Sequence, residues 1–212
     1  MVEGMTDTAK PTIGILAIQG DFAAHAAMLH SLGAETIEVR TVSDLAQCHA
    51  LILPGGESTT QLQFLMEEGL FEAIKKFSAN NSPVFGTCAG AILLATHVTN
   101  PPQASLGLLD MAILRNAYGR QLASDVFFGS SKLKSEPMEM VFIRAPIVES
   151  VGPGVDVLAE YAGKPALVQK GNILAATFHP ELTDDATVHQ HFLDLVEKST
   201  QKVESASAQT NK

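Results

Sequence analysis

The sequence predicts an α/β fold: a mixed, mostly parallel sheet with helices on both faces. Three observations carry this reading. Short apolar runs alternate with helix-periodic segments through the first half of the chain, the pattern of strands covered on both sides. One run, Pro83-Val84-Phe85, leads directly into Gly86-Thr87-Cys88-Ala89-Gly90. Another, Ala50-Leu51-Ile52-Leu53, leads into Pro54-Gly55-Gly56-Glu57-Ser58-Thr59-Thr60. Glycine-rich corners at the carboxyl ends of strands are where open α/β sheets hold ligands.

The elements follow in order. Thr12-Ile13-Gly14-Ile15-Leu16-Ala17-Ile18 reads as the first strand. A helix is expected from Asp21 to Leu32, with Phe22, Ala26 and Leu29 on its inner face and Gly33 closing it. Thr36-Ile37-Glu38-Val39-Arg40 alternates as a short strand, and Ala50 to Leu53 is a fully buried one. Helical patterns cover 58–79, and a helix from Ala89 to Ala95 follows the Gly-x-Cys-x-Gly corner. Asn100-Pro101-Pro102-Gln103-Ala104-Ser105 is a loop. Shorter apolar runs at 108–114, 138–144, 155–158, 165–168 and 173–178 suggest a more antiparallel second half. Asp184 to Lys198 closes the fold as a helix capped by Thr183, with Val188, Phe192, Leu195 and Val196 inward. The organisation expected is a flexible N-terminal extension (1–11), one domain (12–198) and a C-terminal tail (199–212) too polar to order itself.

Composition narrows the function classes. A chain of 212 residues with 46% apolar content builds one domain with a sizeable core. With 14 basic and 23 acidic side chains the net charge is −9, which argues against nucleic acid or an anionic membrane as partner. No apolar stretch approaches the length of a membrane span, and the acidic N-terminus lacks the apolar core of a signal peptide. Two cysteines, Cys48 and Cys88, do not make a disulfide framework. A working thiol suits the reducing cytoplasm.

The Gly86–Gly90 corner has the form of a nucleophile elbow. Small residues are needed on both sides because the turn is sharp and the following helix packs close. The helix N-terminus favours a thiolate at Cys88; a buried structural cysteine is the alternative. Phe178-His179-Pro180-Glu181 supplies a base and its orienter. Pro180 disfavours helix at His179, and residues two apart on an extended chain face the same side, so Glu181 lies beside the imidazole. The Pro54–Thr60 turn offers backbone N–H groups to an oxyanion, Gly56 and Ala89 being the natural donors. It reads equally well as a plain turn with Ser58 or Thr59 as helix cap. No lysine follows its glycines, so it is not a P-loop. Cys48-His49 without further ligands at useful spacing is core or edge packing, not a metal site. His189 and His191 lie on different faces of the closing helix, solvated or packed against the core.

Gln19-Gly20, Pro54 to Thr60, Gly86 to Gly90, Arg115-Asn116, Gly119-Arg120-Gln121, Phe142-Ile143-Arg144-Ala145-Pro146 and Phe178-His179-Pro180-Glu181-Leu182-Thr183 together resemble the glutaminase subunits of pyridoxal 5′-phosphate synthase, within the class I glutamine amidotransferase family. The resemblance is collinear from Thr12 to Lys198 and implies a flavodoxin-like fold. It implies a catalytic triad of Cys88, His179 and Glu181, a glutamine site formed by Gly56, Glu57, Ser58, Arg115, Ile143 and Arg144, and Gln19 beside an oxyanion hole at the partner contact. Arg115 and Arg144 are the candidate cations for the substrate carboxylate; either alone reads by default as a solvated surface residue.

The resemblance further implies L-glutamine as substrate, a (β/α)8-barrel synthase subunit as partner in a large heteromeric complex, and no metal or organic cofactor. The stretch Leu122 to Met138 departs from the family: Ser124-Asp125-Val126 stands where Ser-Phe-Glu is more usual. Other readings are a glutaminase domain serving another synthase, a DJ-1-like or peptidase-like cysteine hydrolase, and a non-catalytic docking subunit. Ammonia release from glutamine against peptide cleavage separates the first two, and Cys88→Ala the last.

Overall fold

The computed structural model describes residues 10–116 and 125–210, with side chains as far as Lys202. Most of the N-terminal extension, the 119–121 motif and the start of the atypical 122–138 stretch lie outside the described residues. The first half alternates as expected: β1 (Thr12–Leu16), α1 (Phe22–Ser31), β2 (Glu35–Val39), a helical turn α2 (Val42–Leu45), β3 (Ala50–Leu53), α3 (Ser58–Glu67), α4 (Leu70–Ala79), β4 (Val84–Thr87) and α5 (Ala89–Leu94). The second half is strand-rich: β5 (Ala95–Thr99), β6 (Leu109–Leu114), β7 (Asp125–Ser131), β8 (Met138–Phe142), β9 (Ile147–Val151), β10 (Asp156–Tyr161), β11 (Lys164–Lys170) and β12 (Ile173–Ala176). A 3-10 turn (Pro180–Leu182) and α6 (Thr187–Thr210) end it.

A nine-stranded sheet runs in the order β2-β1-β3-β4-β12-β11-β10-β7-β8. Its β2-β1-β3-β4-β12 portion is parallel and the remaining pairings are antiparallel. Strands β5, β6 and β9 form a second, smaller sheet. The period-two rule assigns the faces. Leu51 and Leu53 join a core built with Leu62 and Leu65 of α3, Ile74 of α4 and Leu93 of α5. Ala50 and Ile52 point the other way, into a core with Leu29 of α1 and Val188, Phe192 and Val196 of α6. Both faces of the parallel half are therefore covered, and β3 and β4 are buried throughout.

Several boundaries differ from the sequence reading. The helical stretch 58–79 is two helices, because Gly69 sits at φ 70° and ends the first. The closing helix starts at Thr187 rather than Asp184 and runs to Thr210 rather than Lys198. Thr183 does not cap it directly: its hydroxyl accepts from the Asp185 N–H, and Asp185 in turn accepts from the Thr187 N–H. Strands β5, β7 and β9 carry too little uninterrupted apolar pattern to be read from sequence; β7 alternates with Phe128 65% exposed. No helix among the described residues is long and apolar enough to cross a membrane.

What the fold does for function is to bring three chain segments to the carboxyl edge of the parallel strands. These are the 54–57 turn after β3, the Cys88 corner after β4, and the His179 segment after β12. Parallel pairing of β12 with β4 sets Ala176 opposite Thr87, so the chain continues to His179 and Cys88 at the same end.

Candidate active site

The corner after β4 is as tight as its glycines suggest. Cys88 has φ 48° and ψ −101°, a conformation that costs a residue with a β-carbon about 1–3 kcal/mol and persists only where the surroundings enforce it. Its N–H is held by the Ala176 carbonyl at 2.8 Å. A β-carbon at Gly90 would lie 2.7 Å from the Leu53 carbonyl carbon, and one at Gly86 2.6 Å from the Gly90 carbonyl. Both glycines are therefore required by close backbone approach, since neither β3 nor α5 has room to retreat.

His179 and Glu181 are buried, and Nδ1 of the imidazole is 2.8 Å from Oε1 of the carboxylate. Asp21 adds a second carboxylate, with Oδ2 3.7 Å from the same Nδ1. Burial opposes charge on His179, but Cys88 and Glu181 outweigh it and lift the imidazole from 6.5 to about 10. Burial in turn pushes the Glu181 carboxyl up, against the pull of His179. The two tendencies conflict, and the short contact with a second carboxylate nearby decides for imidazolium beside carboxylate. His179 Nε2 is buried with no hydrogen-bond partner, while the Cys88 thiol is directed at the Ile143 carbonyl, 3.9 Å away. Cys88 and His179 thus face one cavity with no hydrogen bond between them.

The ligating atoms of Asp21, His179 and Glu181 all lie within 4.8 Å of one another. Because Nδ1 is already committed to Glu181, it offers a cation no lone pair, and the two carboxylates serve to orient the imidazole. The imidazole also packs against the 54–57 turn: a β-carbon at Gly55 would sit 3.1 Å from Nδ1 and closer still to Cε1.

A cavity of about 250 Å³ opens over the corner. That is below the roughly 300–1,000 Å³ of sites for drug-sized ligands and of a scale for one amino acid. Cys88, His179, Gly56, Glu57 and Ser58 line it, as do Arg115, Ile143 and Arg144, all expected there from sequence. Glu181 stands behind His179 rather than on the wall. Neither Ala89 nor Gln19 is part of the lining; Ala89 follows the cysteine, and the Gln19 side chain donates to the Glu57 carbonyl at 2.8 Å.

Partners divide these residues into free and engaged. The Glu57 carboxylate accepts from the Thr59 and Thr60 N–H groups at the start of α3. Its pKa is brought down to about 2: burial opposes this, but the Thr60 and Thr59 N–H groups prevail. It also receives Arg115, whose guanidinium donates to Thr59 Oγ1 at 3.0 Å and lies 3.4 Å from Glu57 Oε1. Ser58 donates to Gln103 Oε1 at 3.0 Å. Arg144, at φ 44° and exposed, has no ion pair or hydrogen bond among the described residues, which makes it the freer cation on the cavity wall.

Sequence reasoning missed several members. Gly20, Asp21, Ile92 and Asn116 also line the cavity. Gln61, fully buried, donates to the Pro54 and Gly55 carbonyls at 3.2 and 3.1 Å. In a trans peptide this turns the Gly56 N–H away from Gln61. The hidden signal was a glutamine at an inward helical position directly behind the glycine turn. Cys48 and His49 are packing residues as expected, the thiol donating to the Asp44 carbonyl and His49 Nδ1 accepting from the Thr12 N–H. His189 is fully buried against the core, and His191 bonds Gln169.

The chain is similar to known proteins over most of its length. The chain is 52% identical over 184 residues to pyridoxal 5′-phosphate synthase subunit PdxT of Koribacter versatilis (strain Ellin345), covering 87% of this chain and 95% of that protein. It is 47% identical over 186 residues to the PdxT subunit of Fervidobacterium nodosum, covering 88% and 97%. A crystal structure of a glutamine amidotransferase superposes with a TM-score of 0.82 at 43% identity, over 87% of this chain and 98% of that one. PurLQS from Thermotoga maritima shares the fold alone, with a TM-score of 0.66 at 19% identity over 87% and 98% of the two chains. With a family model matched over residues 15–198, the chain belongs to the SNO glutamine amidotransferase family.

Proposed function

We propose that this chain is the glutaminase subunit of a pyridoxal 5′-phosphate synthase, hydrolysing L-glutamine to L-glutamate and ammonia and passing the ammonia to a synthase subunit. The observation that carries the reading is the strained Cys88 at a strand-to-helix corner, sharing one cavity with the 2.8 Å His179–Glu181 pair. The relatives' identity as PdxT subunits supports the product and the partner.

The chemistry follows from the residues. The proton shared between Cys88 and His179 rests on the imidazole when the sulfur attacks the side-chain amide carbon of glutamine as a thiolate. The oxyanion that forms is met by the Gly56 and Ala89 N–H groups, with Gln19 alongside. His179 returns the proton to the leaving nitrogen, the C–N bond breaks, and ammonia departs from a γ-glutamyl thioester. Water then adds, His179 takes and returns its proton, and glutamate leaves with the thiol restored. Glu181 holds the imidazole and its charge throughout. Arg144, exposed on the wall, takes the substrate carboxylate, while Arg115 and the capped Glu57 fix the turn that frames it.

Ammonia in neutral water is mostly ammonium, which has no lone pair for attack, so the product needs a sheltered path and the partner must dock over the cavity. We take the partner to be a (β/α)8-barrel synthase subunit in a large heteromeric complex, and the compartment to be the cytoplasm, where the thiol stays reduced. The open Cys88–His179 contact supports low activity until docking. Ammonia released from glutamine is the test: faint turnover by the chain alone and strong turnover with the synthase are expected. Equal rates would contradict activation by docking, and no ammonia in either case would overturn the glutaminase reading.

A further inference from the structure

Behind the triad lies a buried polar cluster that the mechanism above leaves unused. Glu181 presents one oxygen, Oε1, to His179; the other, Oε2, is buried without a hydrogen bond. An unpaired carboxylate oxygen in the core is costly. His25 Nε2 lies 3.4 Å from it, both side chains being wholly inaccessible to solvent. The same Nε2 is 3.1 Å from Thr87 Oγ1, on the residue preceding Cys88, and His25 Nδ1 is 2.9 Å from His189 Nε2.

The geometry selects one tautomer. If His25 carried its proton on Nδ1, it would turn a bare lone pair toward a carboxylate, and His189 would be left with a buried N–H at Nδ1 that nothing accepts. With the proton on Nε2, His25 donates to Thr87 Oγ1, turns the positive end of the same N–H dipole toward Glu181 Oε2 at 3.4 Å, and accepts from His189. His189 is then left with an unpaired lone pair instead of an unpaired N–H, the lesser penalty. Burial and the neighbouring His189 and His179 hold His25 well below its usual range, so it is neutral and carries this single N–H pair.

We propose that His25 is a positioning residue for the glutaminase reaction: its Nε2–H, bonded to Thr87 and 3.4 Å from the outer oxygen of Glu181, favours the charged carboxylate electrostatically, so that the inner oxygen stays on His179, and through Thr87 it ties this pair to the end of β4, directly before Cys88. The inference rests on the glutaminase reading. Helix α1 supplies His25, α6 supplies His189, β4 supplies Thr87 and Phe85, and the 3-10 turn region supplies Glu181 and His179; these are the groups facing the His25 ring. The outer partners of metal-bound histidines are typically worth ~10–100-fold in activity, and the same scale is expected for this buried partner of a histidine–carboxylate pair.

The test compares wild type, His25→Leu and His25→Gln with the synthase bound. His25→Leu keeps bulk and removes the donor; kcat is expected to fall ~10–100-fold with KM unchanged. The acid limb of the kcat/KM profile should move to higher pH, because an unsupported Glu181 takes a proton more readily. His25→Gln restores an N–H near Nε2 and should recover most of both. A folded His25→Leu with wild-type kcat and an unmoved limb, or a His25→Gln no better than it, overturns the proposal. Should His25→Leu not fold, His25→Gln decides alone: a wild-type limb with nearly full kcat supports the role, and a shifted limb with a deep loss overturns it. A wild type that releases no ammonia overturns both this inference and the function it rests on; an active wild type matched by His25→Leu overturns this one only.

Discussion

Cys88→Ala is expected to lower glutamine-dependent ammonia release by roughly 10⁴- to 10⁶-fold, the scale on which loss of a triad nucleophile is felt. The size follows from the chemistry: without sulfur no thioester forms, and the remaining oxyanion donors and substrate contacts speed only direct attack by water. The substitution removes one sulfur from a residue that is 7% exposed, at a corner set by Gly86 and Gly90, so the fold should survive. Alanine carries the same β-carbon at φ 48° and adds no new strain. The variant complex, supplied with ammonium salt instead of glutamine, should still make product. Loss of both activities would place Cys88 in the scaffold; loss of neither would remove it from the reaction.

Glu181→Gln is expected to cost up to about 10⁴-fold in kcat, as when the acid of a Ser-His-Asp triad becomes an amide. Gln keeps the shape but presents either a neutral oxygen or an N–H to His179 Nδ1, and so no longer holds the imidazolium. The same change should appear in stability. The folded-state value of His179, about 10, lies above its ordinary 6.5. Between those limits the folded chain binds a proton that the unfolded chain has released, so the stabilisation is complete below pH 6.5 and disappears as pH rises toward 10. Melting temperatures of wild type should therefore fall across this window, and those of Glu181→Gln should fall less. Parallel curves for the two proteins would show that Glu181 does not set the charge of His179.

The sequence made the parallel half and its corners legible because their causes are local. A fully apolar run such as Ala50–Leu53 has one reading, and glycines at 86 and 90 mark a corner whatever surrounds it. The His179–Glu181 pair was also local, two residues apart with a proline between them. Strands β5, β7 and β9 were not legible, since their patterns mix polar and apolar positions. The engagement of Arg115 by Glu57 and Thr59, and of Ser58 by Gln103, spans 45 to 58 residues. Such contacts exist only once the sheet has assembled. His25 was missed for a related reason: it looks like an ordinary helical residue, and its partners Thr87 and His189 come from other parts of the chain, whereas Gln61 bonds the nearby glycine turn and only its inward helical position gave a sign of it.

The central claim is a reactive sulfur at Cys88 whose neighbour His179 holds its proton. A diazo-ketone analogue of glutamine, added to the chain with its synthase bound and followed by peptide mass mapping, tests this most directly. Cys48 is the internal control, because burial and the Asp44 carboxylate push its thiol up to about 12. The account predicts one adduct, on Cys88, with ammonia release lost in step with labelling; an unlabelled Cys88, or activity that persists after Cys88 is fully modified, would contradict it.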